Sequence, residues 1–224
     1  MKNSSHTMIR FPAESSNNGL RSDSAGPKVC IGIDNGFSGA VACLHPGGNV
    51  LASPVAVIDL GKERLLDLDQ NRALLRQFIA AAAVPAQSIL AVYEQCQPNP
   101  KFGSCNNFTN GKNGEFWRLL LSLEGIPFRC VNPQQWQKWI FRGIRGDDTK
   151  AMAALVCQQR FPRLRLEGYN RKQREGIQDA TCIALWASEL SAWMAQTGPS
   201  TETPSQSEGV THIEAPVAAA IPEQ

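Results

Sequence analysis

Apolar positions along the chain switch between two spacings. Val29-Cys-Ile-Gly-Ile33 is a continuous apolar run that stops at Asp34-Asn35-Gly36, where Asn-Gly is a turn dipeptide, and it predicts a buried strand. A second strand is expected over 38–44, and Pro46-Gly-Gly-Asn49 turns the chain into a third over 50–58, giving a β-meander. Leu74, Leu75, Phe78 and Ile79 recur at helical spacing and predict a helix over 68–83, ahead of a fourth strand at 88–94. A helix between two apolar strands implies a right-handed crossover and parallel pairing.

Residues 95–112 are polar and punctuated by Pro98, Pro100, Gly103 and Gly111, so they read as a long loop of the kind that carries function. Beyond it the pattern predicts a helix over 114–123, a fifth strand over 126–131, a short helix after Pro133, a helix over 149–161 and a last helix over 176–193. The fold class is therefore α/β, a mixed five-stranded sheet flanked by helices. Residues 1–28 and 197–224 lack periodicity and are rich in small polar residues and proline, so they are expected to be disordered tails around one domain at 29–196.

Composition narrows the class. Of 224 residues, 42% are hydrophobic and 19% charged, which excludes wholesale disorder. No apolar run approaches the ~20 residues of a membrane span, and no secretory leader is recognisable. Seven cysteines without a Cys-x-x-Cys pair point to a reducing compartment. The expected location is the cytoplasm; a Ser-rich N-terminal segment with Arg10 and Arg21 keeps a plastid or other organelle as the alternative. His6 and His212 lie in the tails, so imidazole chemistry would depend on His45 alone. Carboxylates become the default catalysts.

The net charge of +2 conceals an asymmetry. Between Lys138 and Arg174 there are ten basic residues against Asp147, Asp148 and Glu167. Such a stretch has the size of a phosphate-binding footprint, although a solvated helical face has the same composition.

Asp34 ends the first strand and Glu94 the fourth. If those strands are parallel neighbours, both acids emerge at the sheet edge where open α/β sheets bind ligands. Glu175 and Asp179 are one helical turn apart and share a face. Singly, each has an ordinary explanation: an Asx turn for Asp34, a strand-end charge for Glu94, a helix N-terminal acid for Glu175. Together they would repel one another unless cations lay between them. Hard oxygen donors suit Mg²⁺ or Mn²⁺, and two such ions about 3.5–4 Å apart are a recurrent device for phosphodiester cleavage.

Six segments, in chain order, resemble the RuvC-type Holliday-junction resolvases: Ile31-Gly-Ile-Asp-Asn-Gly-Phe-Ser-Gly-Ala40, Val92-Tyr-Glu-Gln95, Gly125-Ile-Pro-Phe128, Val131-Asn-Pro-Gln-Gln-Trp136, Thr149-Lys150 and Arg174-Glu-Gly-Ile-Gln-Asp-Ala180. The spacing of the last two acids is similar to that of phage and monokaryotic-chloroplast resolvases, where the penultimate acid lies four residues before the last; in the bacterial pattern it lies three before, where this chain has Gly176. Asn35 stands where the family usually has proline. The resemblance implies an RNase H-like fold, a homodimer acting on four-way DNA junctions by paired nicks, two Mg²⁺ per active site with Mn²⁺ as substitute, Asp34, Glu94, Glu175 and Asp179 as metal ligands, and Lys150 as a basic residue near the scissile group.

Three further expectations concern DNA and assembly. Lys138, Arg142 and Arg145 are expected to bind phosphates, and Phe102 or Phe108, apolar rings in the polar loop, to stack on or wedge between bases, with a packing role for Phe108 as the alternative. In 115–124 the apolar residues point in nearly all directions around a helix, so a stripe including Trp117 or Leu121 is expected to be exposed and covered by a second copy. Two rival functions remain: an actin-like or sugar-kinase-type phosphate-binding ATPase domain, on the strength of Gly32-Ile-Asp-Asn-Gly36, and a catalytically silent junction-binding protein.

Overall fold

The computed structural model describes residues 29–96, 100, 101 and 103–197. Of the segments read above as tails, 1–28 and 197–224, all but Thr197 lie outside the described residues, as does Phe102. Strand β1 (Val29–Ile33) is buried at every position, as its unbroken apolar run requires for a strand covered on both faces. It pairs antiparallel with β2 (Ala40–Leu44), which pairs antiparallel with β3 (Val50–Pro54). Helix α1 (Leu68–Ala82) then carries the chain over to β6 (Ile89–Glu94), parallel to β1, and β7 (Phe128–Val131) adds in parallel beside β6. The sheet order β3-β2-β1-β6-β7 is the mixed five-stranded, RNase H-like arrangement that the motifs imply.

Alternation along the strands sorts the two layers. Ile31, Ile33, Ala91 and Tyr93 face one side, with Leu75 and Phe78 of α1 and with Trp117, Leu120 and Leu121 of α2 (Ser104–Leu123). Cys30 and Val92 face the other, against α3 (Pro133–Ile140), α4 (Thr149–Arg160) and α5 (Arg171–Thr197). Helix α5 crosses β1 at Gly32 in backbone contact: a Cβ there would lie 2.1 Å from the Ala180 carbonyl oxygen.

Four expectations need correction. The third strand does not run from 50 to 58. After Pro54 the backbone of Ala56 is taken by the buried Asn71 side chain, which accepts from its N–H at 3.0 Å and donates to its carbonyl at 2.9 Å. The chain leaves the sheet there, and Val57–Asp59 (β4) pairs instead with a strand the pattern did not show, Arg64–Leu66 (β5).

The loop expected over 95–112 is helical from Ser104 onward. Four asparagines and two glycines weaken the local helical signal, but inward packing of Trp117, Leu120 and Leu121 overrides propensity. Phe108 consequently sits on a helix, 70% exposed, with the Lys112 ammonium 5.8 Å from its ring centre.

Helix α5 begins at Arg171 rather than near 176, started by a reciprocal pair in which Asn170 Oδ1 accepts from Gln173 N and Gln173 Oε1 accepts from Asn170 N. Glu175 therefore lies beyond the first turn and is no N-terminal dipole acid. Lastly, Trp117 and Leu121 are fully buried, and within 115–124 the large apolar side chains left exposed are Leu119 and Leu123.

Candidate active site

Parallel registry sets the centre of the site. Ile33 stands opposite Tyr93, so the next residues, Asp34 and Glu94, leave the sheet side by side at the ~4.8 Å spacing of neighbouring strands. By alternation Asp34 continues the row of Cys30 and Gly32, and Glu94 the row of Leu90 and Val92, both toward α5. Helix α5 reaches this edge because Gly176 rests on the β1–β2 loop: a Cβ would lie 2.4 Å from the Ser38 carbonyl oxygen and 3.0 Å from Gly39 Cα. On the same helix, Asp179 and Glu175 are thereby brought to the acids on the strands.

Helix α4 supplies the cation. Asp148 caps it, accepting from Lys150 N at 2.9 Å, which places Lys150 in the first turn. Its ammonium donates to Asp179 Oδ2.

Asp34, Glu94 and Asp179 hold their protons more tightly than usual. Burial raises Asp34, against the Gly36 N–H at 3.3 Å and the charge of Lys150. Burial, then the charge of Asp34, pushes Glu94 up to about 7, although a hydrogen bond from Trp136 opposes the shift. Asp179 is pushed up to about 6 by burial, with Asp34 and Glu175 adding to the effect and Lys150 opposing it. For Lys150 burial favours the neutral amine, but Asp179, Asp34 and Glu94 outweigh it and the net shift is upward. Three carboxylates, Asp179 buried and Asp34 and Glu94 half-buried, thus face one ammonium, and the site has more negative charge than it neutralises.

That excess decides the fit to a metal. All four candidate donors are carboxylates, with no imidazole or thiolate among them, and the set suits a hard divalent cation that would relieve their repulsion. As the side chains stand, no three His, Cys, Asp or Glu side chains among the described residues are gathered close enough to clasp one ion. They are held by protein partners instead: Asp179 by Lys150, Glu94 by Trp136 Nε1 at 2.7 Å, Glu175 by Arg171 Nε at 2.7 Å. Loading would draw Asp179 and Glu175 from their cations.

Lys138 on α3 and Arg142 and Arg145 in the connection to α4 are all exposed, on the chain that leads into Lys150. His45 follows β2 at the opposite edge of the sheet, beside the start of β1, so among the described residues no imidazole belongs to this site. Two residues here had no assigned role in the sequence: Asn35, whose buried amide donates to the Glu94 carbonyl at 2.7 Å and to Cys96 Sγ at 3.1 Å, and Trp136. Trp136 lies in a motif quoted above, but its partner is 42 positions away and has no local signal.

No protein-family model matches the chain, and no curated protein matches it. Among solved structures it is similar to Thermus thermophilus RuvC in complex with a Holliday junction substrate, at a TM-score of 0.46 and 14% identity over 76% of this chain and 96% of that one. A second Thermus thermophilus RuvC structure gives a TM-score of 0.45 and 14% identity over 73% and 97% of the two chains.

Proposed function

We propose that this chain is a Mg²⁺-dependent endodeoxyribonuclease that resolves four-way DNA junctions by paired nicks, as a homodimer with two ions per active site and Mn²⁺ as a substitute. The observation that carries the reading is the convergence of Asp34, Glu94 and Asp179, with Glu175 beside them, at one sheet edge in mutual repulsion. Asp34, Glu94, Asp179 and Glu175 would hold the metal, which supplies Lewis acidity toward the phosphodiester and a bound water of lowered pKa. Asp34, whose charge acts on both Glu94 and Asp179, is the least replaceable of the four. Lys150, once Asp179 is engaged elsewhere, presents its ammonium to the phosphate between the acids and the basic segment. Lys138, Arg142 and Arg145 bind the backbone of the arms.

The homodimer rests on Leu119 and Leu123, 53% and 67% exposed one turn apart on α2. A second copy across a two-fold axis covers them and matches a substrate with two equivalent cut sites.

The deciding experiment compares four-way junctions with linear duplex, with and without Mg²⁺, for the wild type and for Asp34→Asn. Expected are paired incisions on the junction alone, lost in the variant while metal-free junction binding persists. Binding without any metal-dependent cutting would establish the silent binder, and equal cutting by Asp34→Asn would overturn the metal assignment. Nucleotide hydrolysis with no affinity for junctions would favour the ATPase reading.

A further inference from the structure

Glu94 is fixed at both ends. Its backbone carbonyl accepts from the Asn35 amide at 2.7 Å, and one carboxylate oxygen, Oε1, accepts from Trp136 Nε1 at 2.7 Å. Trp136 itself has no freedom to swing: it is 1% exposed, and its ring meets Phe141 edge-on at 5.5 Å between centroids. The helix that carries it is also pinned at its start, where Asn132 accepts from Gln134 N at 2.9 Å and Pro133 opens the first turn. A charge-assisted hydrogen bond from so rigid a donor selects one rotamer of the carboxylate.

We infer that Trp136 is a positioning residue: its indole N–H turns Glu94 Oε1 into the fold and leaves Oε2 as the oxygen offered to a divalent cation. The inference rests on the nuclease reading for the role of Glu94, and it adds how that carboxylate is aimed. Indole is suited to the task because it donates and cannot accept, so it neither competes for the ion nor exchanges protons with the acid. Groups that orient a metal-binding carboxylate are commonly worth about 10- to 100-fold in metal affinity.

Trp136→Phe keeps an aromatic ring against Phe141 and deletes the N–H. In the full chain, Mg²⁺ and Mn²⁺ titrations by calorimetry should show affinity about 10- to 100-fold weaker than wild type. Metal-free junction binding, followed by fluorescence anisotropy, should be unchanged. Wild-type metal affinity in a folded Trp136→Phe variant would overturn the inference and leave the nuclease reading standing. Wild-type protein that binds no divalent metal would instead sink the nuclease reading. The hydrogen bond has its own readout, which serves whether or not the variant folds or the metal binds. In metal-free wild type the Trp136 indole proton should resonate downfield and exchange slowly, and Glu94→Leu should move it upfield. An indole signal indifferent to Glu94→Leu would overturn the assignment.

Discussion

Glu94→Gln should stabilise the metal-free protein, and by an amount that depends on pH. The Glu94 carboxyl is raised from 4.5 to about 7, first by burial and then by the neighbouring Asp34 charge. Folded protein therefore binds this proton more tightly than unfolded protein does. The contribution of the group to stability is greatest below about 4.5, falls as pH rises from there to about 7, and is flat above. A shift of that size, at 1.36 kcal/mol per unit, sets a ceiling of about 3 kcal/mol on what ionised Glu94 costs at pH 8, against less than about 1 kcal/mol at pH 5. Glutamine removes the charge and keeps an oxygen for the Trp136 N–H. With about 2–4 °C per kcal/mol for a domain of this size, Glu94→Gln in EDTA should melt several degrees above wild type at pH 8 and within about 3 °C of it at pH 5. Added Mg²⁺ should raise the wild-type midpoint by binding the folded state, and raise that of the variant much less. Scanning calorimetry of both proteins at both pH values, with and without Mg²⁺, checks these expectations. A variant less stable than wild type at pH 8, or offset equally at both pH values, would refute the electrostatic account of the site.

Changing Lys138, Arg142 and Arg145 together to Gln should weaken junction binding and flatten its salt dependence by a log–log slope of up to about 3, since each lost phosphate contact removes ~0.9; an unaltered slope in anisotropy titrations would put the DNA on another surface. Leu119→Glu with Leu123→Glu should yield a folded monomer in sedimentation velocity with paired incision reduced to single nicks, whereas Trp117→Glu or Leu121→Glu, at fully buried positions, should unfold the chain. A dimer that survives the Leu119 and Leu123 changes would move the two-fold interface off this helix.

Which parts of the site were legible in the sequence follows from the range of the forces that build it. Asp34 and Glu94 could be read because each closes an apolar strand, and the single crossover helix makes those strands parallel; the pairing of Ile33 with Tyr93 is what that logic requires. Asp179 and Glu175 could be read because helical period alone puts them on one face. The start of α2 could not, since Asn106, Asn107, Asn110 and Gly111 favour a loop locally and lose only to the packing of side chains three turns further on. Strands of three residues, β4 and β5, are too short to show alternation, and the side chain of Asn71 that ends β3 acts 15 positions away. The same holds for the clasp on Glu94, made from Asn35, 59 positions before its partner, and from Trp136, 42 positions after. Glycine is the intermediate case. Gly32 and Gly176 both stand in motifs, but their packing role is not written there: a methyl at either would strike the Ala180 or Ser38 carbonyl oxygen and lift α5 from β1 and its loop. Since α5 carries two of the four acids and meets Lys150 through one of them, the geometry of the charged site depends on two positions that have no side chain at all.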